Sequence, residues 1–128
     1  MIEVFLERAE QLASARDLVR EESSYSAATA LLSVHSAIAM NDALLLSLTG
    51  KRPKGVDHSR AIIETELACS AKKFNCKGLK HLKSLLSKKT AVSYGDAPIS
   101  FEAASSLAIT SERFQQWVYS ILVMKRSS

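Results

Sequence analysis

Residues that break helices are rare in this chain and fall at only three places. Gly50, Pro53 and Gly55 lie together in TGKRPKGVD, Gly95 and Pro98 lie together in YGDAP, and Gly78 stands between them. Between these breakers, apolar residues recur at spacings of three and four, which is the period of an amphipathic helix. No stretch alternates polar and apolar residues as a half-buried strand does. The sequence therefore predicts an all-α fold.

Five helical segments are predicted, and they form a four- to five-helix up-and-down bundle. The first ends near Glu22, the second runs from an N-cap at Ser24 to Thr49, the third from a cap at Asp57 or Ser59 to about Ala71, the fourth begins after Gly78, and Ser100 caps the last. The second is apolar around most of its circumference, so the others are expected to surround it. With 128 residues, the chain is predicted to be one domain, 1–128.

Positive charge is concentrated in one part of the chain. Between Leu67 and Gly95 there are seven lysines and no Asp or Glu, although the whole chain carries a formal net charge of only +4. Two interpretations are open: the solvated side of an amphipathic helix, which by itself accounts for the lysines, and a phosphate-binding face, for which the absence of acids is the argument. Helical spacing predicts one face for Lys73, Lys77, Lys80 and Ser84. The predicted phosphate- or nucleic-acid-binding residues are Lys73, Lys77, Lys80, Lys83, Lys88 and Lys89, and Lys51, Arg52 and Lys54 form a second basic group in a loop.

The sequence carries no motif for metal-dependent or nucleophilic catalysis. His35, His58 and His81 show no metal-ligand spacing to one another, so no metal is expected. GxSxG and glycine-rich phosphate loops are absent, and no cofactor is expected. Cys69 and Cys76 match neither a thioredoxin pair nor a zinc pair, and we interpret them as buried free thiols.

Two polar residues, Asn41 and Asp42, interrupt the mostly apolar second helix. A buried carboxylate is costly without a partner, so Asp42 is expected either to pair with a lysine or arginine of the bundle or to face a groove. Together with His58 they are the candidate groove residues. His35, in the same helix, is expected to be a hydrogen-bonded core or interface residue.

The uncharged stretch from Ser23 to Asn41 is the one candidate for membrane insertion. Five serines, Thr29 and His35 interrupt it, so we interpret it as a buried helix and expect no membrane contact. Acids among the first residues argue against a signal peptide, and free thiols suit a reducing compartment. The protein is therefore expected to be cytoplasmic.

Three stretches, SYSAATALLSVHSAIAMNDALL, DHSRAI and LKHLKSLLSKKTAVSYGDAPISFEAASSLAITSERFQQWV, resemble the HEPN family of small α-helical bundle domains. The resemblance covers roughly Glu21 to Val118 and lies in helix spacing and short motifs. Many members of that family are metal-independent endoribonucleases or toxins that accompany a minimal nucleotidyltransferase, and members commonly dimerise. The resemblance therefore implies a homodimer and a nucleotidyltransferase as a candidate partner.

The active motif of HEPN ribonucleases is an arginine followed a few residues later by a histidine. In the matching stretch KKTAVSY, Lys89 or Lys88 takes the arginine position and Tyr94 takes the histidine position, where the resemblance implies that it packs or hydrogen-bonds at the turn. Lysine lacks the planar fork of arginine, and a phenol with a pKa of ~10 is a poor base. The prediction is a non-catalytic HEPN-like bundle that binds a nucleotide, RNA or a partner protein. The alternative is a metal-independent endoribonuclease toxin that uses Lys88 or Lys89 with His81 or His58.

Overall fold

The structure, a computed structural model, describes residues 2–51 and 57–127. Within these ranges it contains six α-helices, one short 3-10 helix and no strand. They are α1 (Ile2–Val19), the 3-10 helix (Ser23–Tyr25), α2 (Ser26–Thr49), α3 (His58–Ala71), α4 (Leu79–Ser87), α5 (Lys89–Tyr94) and α6 (Phe101–Ser127). The predicted all-α bundle is confirmed, with one α-helix more than the largest predicted number.

Helix α2 lies at the centre of the bundle and contacts each of the five other α-helices. Its apolar residues Val34, Met40 and Leu44 are buried in the core. The other helices contribute buried residues to the same core, among them Ala9, Ile62, Leu79, Leu82, Leu85, Phe114, Val118 and Ile121. The expectation that neighbours surround the second helix is confirmed.

One helical stretch of the described residues, Ser23–Thr49, is long and apolar enough to cross a membrane by length and composition alone. Most of it is buried inside the bundle, and burial against neighbouring helices also accounts for an apolar circumference. The expected cytoplasmic location stays a prediction.

Two of the predicted helix caps are confirmed. The Asp57 side chain accepts a hydrogen bond from the backbone N–H of Arg60 at 3.1 Å, and the Ser100 hydroxyl accepts one from Ala103 at 3.0 Å. These bonds satisfy backbone donors that the first turn of a helix leaves free.

The junction between the first two helices differs from the prediction. Helix α1 ends at Val19 because Glu22 donates its backbone N–H to the Val19 carbonyl at 3.0 Å, an i,i−3 bond that tightens the chain into a turn. Ser24 therefore lies inside the 3-10 helix and does not cap α2. The Ser26 hydroxyl donates instead to the Ser23 carbonyl at 2.8 Å.

The predicted fourth helix is interrupted at Lys88. The backbone N–H of Lys88 bonds to the Leu85 carbonyl at 3.0 Å, which closes the last turn of α4 with 3-10 geometry. The Ser87 hydroxyl donates to the Ser84 carbonyl at 2.6 Å, an example of the serine–backbone bonds that compete with helix continuation. Lys88 is consequently the junction between α4 and α5.

The end of α3 forms a Schellman motif with a lysine in the position that glycine usually takes. Lys73 has a φ of 61°, its N–H bonds to the Ser70 carbonyl at 3.0 Å, and the N–H of Phe74 bonds to the Cys69 carbonyl at 2.9 Å. Phe74 packs against the core beyond this turn. The turn redirects the chain so that residues 74–78 lead back along the bundle into α4.

A buried cation joins the outer helices α1 and α6. The Arg16 side chain is 1% exposed and donates to the Ser111 hydroxyl at 2.9 Å and to Gln115 Oε1 at 3.2 Å. It also pairs with Asp17 at 2.9 Å. Ser36 of α2 completes the group through a 3.0 Å hydrogen bond with Ser111. These hydrogen bonds of Arg16 and Ser111 join α1, α2 and α6 to one another.

Candidate phosphate-binding site

The seven lysines of the acid-free stretch occupy one continuous segment, which we call the lysine segment, residues 72–89. Six of them are exposed: Lys72, Lys73, Lys77, Lys80, Lys83 and Lys88. The one ion pair that these six make among the described residues is between Lys83 and Glu66 of α3, at 3.5 Å and with both side chains about half exposed. The other five ammonium groups have no carboxylate of the described residues within ion-pair distance. They are available to an anion.

Helix α4 presents a clear division between its two sides. Leu79, Leu82 and Leu85 are buried against the core, whereas Lys80 and Lys83 are exposed on the opposite side. The predicted common helical face for Lys73, Lys77 and Lys80 is wrong, because Lys73 lies in the Schellman turn and Lys77 lies in the connection before α4. The lysines are therefore distributed over a turn, a connection and a short helix.

The connection between α3 and α4 is held against α6 by Trp117. The indole Nε1 donates to the Asn75 carbonyl at 3.1 Å, and the Asn75 side chain accepts from the backbone N–H of Lys77 at 2.7 Å. Gly78 packs so closely on Trp117 that a Cβ at this position would overlap the indole ring. The backbone on either side of Lys77 is thus held in place, at Asn75 by hydrogen bonds and at Gly78 by packing on Trp117.

Lys89 differs from the other six lysines because it is half-buried and faces the central helix. Its charge acts on both His35 of α2 and His58 at the start of α3, and His35 also acts on His58. We call His35, His58 and Lys89 the histidine–lysine cluster. Helices α2, α3 and α5 each contribute one of its members.

The electrostatics of this cluster favour neutral imidazoles. Burial, and then the nearby ammonium group of Lys89, lower the pKa of His35 below its usual value. Burial, Lys89 and His35 likewise lower the pKa of His58, while Asp57 acts in the opposite direction. A neutral imidazole accepts a proton or a hydrogen bond, and a bound anion would offset the repulsion from Lys89. The cluster can therefore interact with a phosphate in two ways.

The three predicted groove residues Asn41, Asp42 and His58 line one narrow crevice. Ile38, Ala61, Leu82 and Leu86 form the rest of its wall. Asn41 is buried, and its Oδ1 accepts a hydrogen bond from the Thr65 hydroxyl at 3.0 Å. The crevice has room for about one water molecule, so it is too small to hold a base or a ribose.

Asp42 does not form the ion pair that was one of its two expected arrangements. No hydrogen bond or ion pair joins its carboxylate to another of the described residues, and it faces the crevice. Burial raises the pKa of Asp42 to about 6, and the more distant charge of Arg8 offsets only part of this effect. The carboxyl is consequently a titratable group near neutral pH.

The remaining candidates lie apart from the histidine–lysine cluster. His81 is half-buried on α4, and burial, followed by the charges of Lys80 and of Arg113 of α6, lowers its pKa. Tyr94 is 78% exposed and makes no hydrogen bond to another described residue, so the implied packing at the turn is wrong. Lys89 and Tyr94 are five residues apart on α5, a separation that turns one inward and the other to solvent. The second basic group is described only at Lys51, since Arg52 and Lys54 lie outside the described residues.

Sequence reasoning missed where His35 lies: it is half-buried and makes no hydrogen bond to another described residue, so the expected core role is wrong, and the expected interface role stays a prediction. A usable signal was present: His35, Ile38 and Asp42 lie at spacings of three and four and share one face of α2. Residues 2–51 and 57–127 contain no group of three or more His, Cys, Asp or Glu side chains that could hold a metal ion.

Comparison of the sequence with protein-family models found no match, and comparison with curated proteins also found none. The resemblance to the HEPN family therefore stays a prediction.

Proposed function

We propose that this protein is a non-catalytic helical bundle that binds RNA through the lysine segment. The observation that carries the proposal is the set of exposed lysines at residues 72–88, of which Lys83 alone has an acidic partner among the described residues. A merely solvated helix usually mixes both charge signs along its exposed side. A polyanion would supply the counter-charges that five of the six exposed lysines lack among the described residues.

The expected mode of recognition is contact with phosphates. Lysine presents a point charge that does not discriminate between bases, and the adjacent crevice is too small for a nucleotide. Aromatic residues make up only 6% of the chain, and Tyr94 is the one exposed aromatic side chain next to the lysine segment. Base stacking therefore contributes little, and affinity should depend strongly on salt.

The proposal is tested by fluorescence anisotropy with a labelled single-stranded oligoribonucleotide. The test variant is the triple Lys77→Gln, Lys80→Gln, Lys88→Gln, which removes three exposed ammonium groups that have no acidic partner among the described residues. We expect at least a tenfold loss of affinity and a decrease of about 2 in the slope of log K against log salt, since each lost phosphate contact removes about 0.7.

A charge-matched control is the triple Arg8→Gln, Lys51→Gln, Arg126→Gln, which removes the same charge at exposed positions outside the lysine segment. Equal losses of affinity for the two triple variants would show that binding depends only on the net charge of the protein, and this result would contradict the proposal. Disappearance of wild-type binding at about 0.15 M salt would do the same.

A second candidate function, metal-independent RNA cleavage, is favoured by the histidine–lysine cluster. Two imidazoles and an ammonium group can supply the general base, the general acid and the cation that phosphodiester transfer requires. One neutral imidazole would take the proton of a ribose 2′-hydroxyl as that oxygen attacks phosphorus. The other, protonated once the bound phosphate offsets the repulsion from Lys89, would give its proton to the departing 5′-oxygen. Lys89 would stabilise the charge on the phosphate oxygens, and the product ends would be a 2′,3′-cyclic phosphate and a 5′-hydroxyl.

This candidate is tested by incubating the protein with single-stranded and structured RNA in the presence of EDTA. If it is correct, His35→Ala, His58→Ala and Lys89→Ala each lower the cleavage rate by about a hundredfold or more. His81→Ala is the control, since His81 interacts with Lys80 and Arg113 and not with Lys89. Absence of cleavage across substrates removes the candidate and leaves RNA binding intact.

The homodimer and the nucleotidyltransferase partner, which the HEPN resemblance implies, are carried here as proposals. Light scattering of the purified protein tests the dimer, because a monomer mass at micromolar concentration would contradict it. Co-purification with a nucleotidyltransferase encoded by a neighbouring reading frame tests the partner.

A further inference from the structure

The two cysteines lie at the two ends of the Schellman turn after α3. Cys69 is fully buried near the end of α3, and Cys76 is half-buried in the connection to α4. The chain between them turns at Lys73, which has a positive φ. The hydrogen bond from Phe74 N–H to the Cys69 carbonyl then holds the residues after the turn close to the end of α3. Cys76 thereby approaches the helical turn that contains Cys69.

The position of the Cys76 sulfur is defined by several contacts with that turn. Its Sγ lies 3.8 Å from the Glu66 carbonyl oxygen and 3.6 Å from the Ser70 hydroxyl oxygen, on residues that flank Cys69 along α3. A third contact, 3.7 Å to the Phe74 carbonyl oxygen, comes from the connection itself. These contacts hold the Cys76 thiol on the last turn of α3, next to Cys69.

The two thiols differ in accessibility and in acidity. Burial, and then the charge and hydrogen bonding of the neighbouring Cys76, raise the pKa of Cys69 to about 12. Cys69 is thus a protonated, inaccessible thiol while Cys76 is free. A reagent in solution can reach Cys76 first, and modification of Cys76 removes two of the effects that keep Cys69 protonated.

We propose that Cys69 and Cys76 form a reversible intramolecular disulfide when the protein meets a small-molecule disulfide such as oxidised glutathione. The proposal does not depend on RNA binding. Both cysteines are free thiols, as the sequence predicted, but only Cys69 is buried, whereas Cys76 is half-buried.

The reaction consists of two thiol–disulfide exchanges. The Cys76 thiolate attacks one sulfur of oxidised glutathione, forms a Cys76–glutathione disulfide and releases one glutathione thiolate. The Cys69 thiolate then attacks Cys76 Sγ, which forms the protein disulfide, breaks the mixed disulfide and releases the second glutathione thiolate. The protein loses two electrons and two protons, which end on two molecules of reduced glutathione.

The bridge would tether the part of the lysine segment that lies outside a helix. Lys72 and Lys73 fall inside the closed loop and Lys77 follows it directly. Closing the loop restricts the unfolded chain and also the local opening of the turn. In a reducing compartment such a bridge forms transiently and is reversed by thiols, which suits a switch better than a structural link.

The test is intact-mass and peptide mass spectrometry of the full chain after incubation with oxidised glutathione under native conditions. We expect a mass decrease of two hydrogens, a peptide that links Cys69 to Cys76, reversal by dithiothreitol and a midpoint of thermal unfolding raised by roughly 5 °C. Hydrogen exchange at the amides of Lys73 and Phe74 should slow in the oxidised form, because their bonds to α3 open less often.

Two variants separate the steps. Cys69→Ala should accumulate the glutathione adduct on Cys76, and Cys76→Ser should not react, so Cys76→Ser keeps the test valid even if the buried Cys69→Ala variant folds poorly. A stable glutathione adduct in the wild-type protein would overturn the proposal. Disulfide-linked dimers through Cys76, or no reaction in the folded state, would overturn it as well.

Discussion

The arginines at the α1–α6 contact and the lysines of residues 72–88 are both cationic, but the fold treats them in opposite ways. Arg16 is buried and bonded on three sides, and Arg20 pairs with Asp17 at 3.0 Å and with Glu112 at 3.2 Å. The exposed lysines make a single ion pair among the described residues, with Glu66. One group of charges thus joins helices, and the other adds little to the fold and leaves its charge to solvent or to a ligand.

The planar guanidinium explains why arginine performs the first task. Its donors point in fixed directions, so one buried Arg16 reaches Ser111, Gln115 and Asp17 together. A lysine ammonium is strongly hydrated, so burial costs it more free energy than burial costs a guanidinium, and it is more stable in water. Composition alone counts both residue types as positive charge, whereas their neighbours decide whether that charge stabilises the native state.

The largest effect on stability is expected from Arg16→Met. The substitution removes the buried cation and leaves the Ser111 hydroxyl and the Gln115 side chain with fewer partners. We expect a loss of about 2–4 kcal/mol in the free energy of unfolding, measured by urea denaturation. Lys80→Met is the matched control and should change stability by less than about 0.5 kcal/mol. Equal costs for the two variants would break the comparison between arginines and lysines.

Gly78→Ala should have the next largest effect, because it tests whether the lysine segment depends on packing. The new Cβ would overlap the Trp117 ring, so the connection or the indole must shift at a cost of about 2–3 kcal/mol. Gly50→Ala is the control: its Cβ would meet open space, and only the φ of 72° opposes it, at about 1 kcal/mol. In a Trp117→Ala background the cost of Gly78→Ala should fall, and an unchanged cost would show that the clash is not the cause.

Asp42→Asn should change the pH dependence of stability by about 1–2 kcal/mol. The folded pKa of Asp42 is raised to about 6 from an ordinary value of 3.8, so the native state binds this proton more tightly than the unfolded state does. This tighter proton binding stabilises the native state below about pH 4, and the stabilisation is lost as the pH rises through about 6. The expected change in free energy is smaller than the full pKa shift of Asp42 would give, because its carboxyl is partly solvated.

Urea denaturation of wild type and Asp42→Asn at about pH 4 and pH 7 measures this difference. The asparagine variant should be the more stable of the two at neutral pH, and Asp96→Asn, at an exposed position, should follow the wild-type profile. Identical profiles for Asp42→Asn and wild type would mean that the crevice does not desolvate the carboxyl.

The smallest effect is expected from Lys83→Gln, which breaks the single ion pair of the exposed lysines. Because both partners are about half exposed, the pair should contribute no more than about 0.5 kcal/mol. Lys80→Gln, which breaks no pair, is the control in the same urea assay. A loss above 1 kcal/mol for Lys83→Gln alone would show that this lysine belongs with the arginines.

Local patterns predicted the elements of this fold better than their junctions. Asp57 and Ser100 cap helices as expected because capping depends on residues within one turn. The interruption at Lys88 and the left-handed conformation of Lys73 were missed, since lysine is neither a breaker nor a usual residue at positive φ.

The candidate site was predictable only in part for a related reason. The acid-free run of lysines is visible in the sequence, and so are the polar residues Asn41 and Asp42. The approach of His35 and His58 to Lys89 depends on how α2, α3 and α5 pack, and it separates Lys89 from its neighbours in the chain. Contacts between distant segments carry no local signal of their own.

The bond between Trp117 and the Asn75 carbonyl has a practical consequence. Trp117 is the only tryptophan in the chain, and its indole rests on the backbone from which Lys77 projects. Its emission spectrum should therefore register movements of that connection without an attached dye. Titration with an unlabelled oligonucleotide, followed at the tryptophan wavelength, would give an intrinsic optical signal from the place where the ligand is expected to arrive.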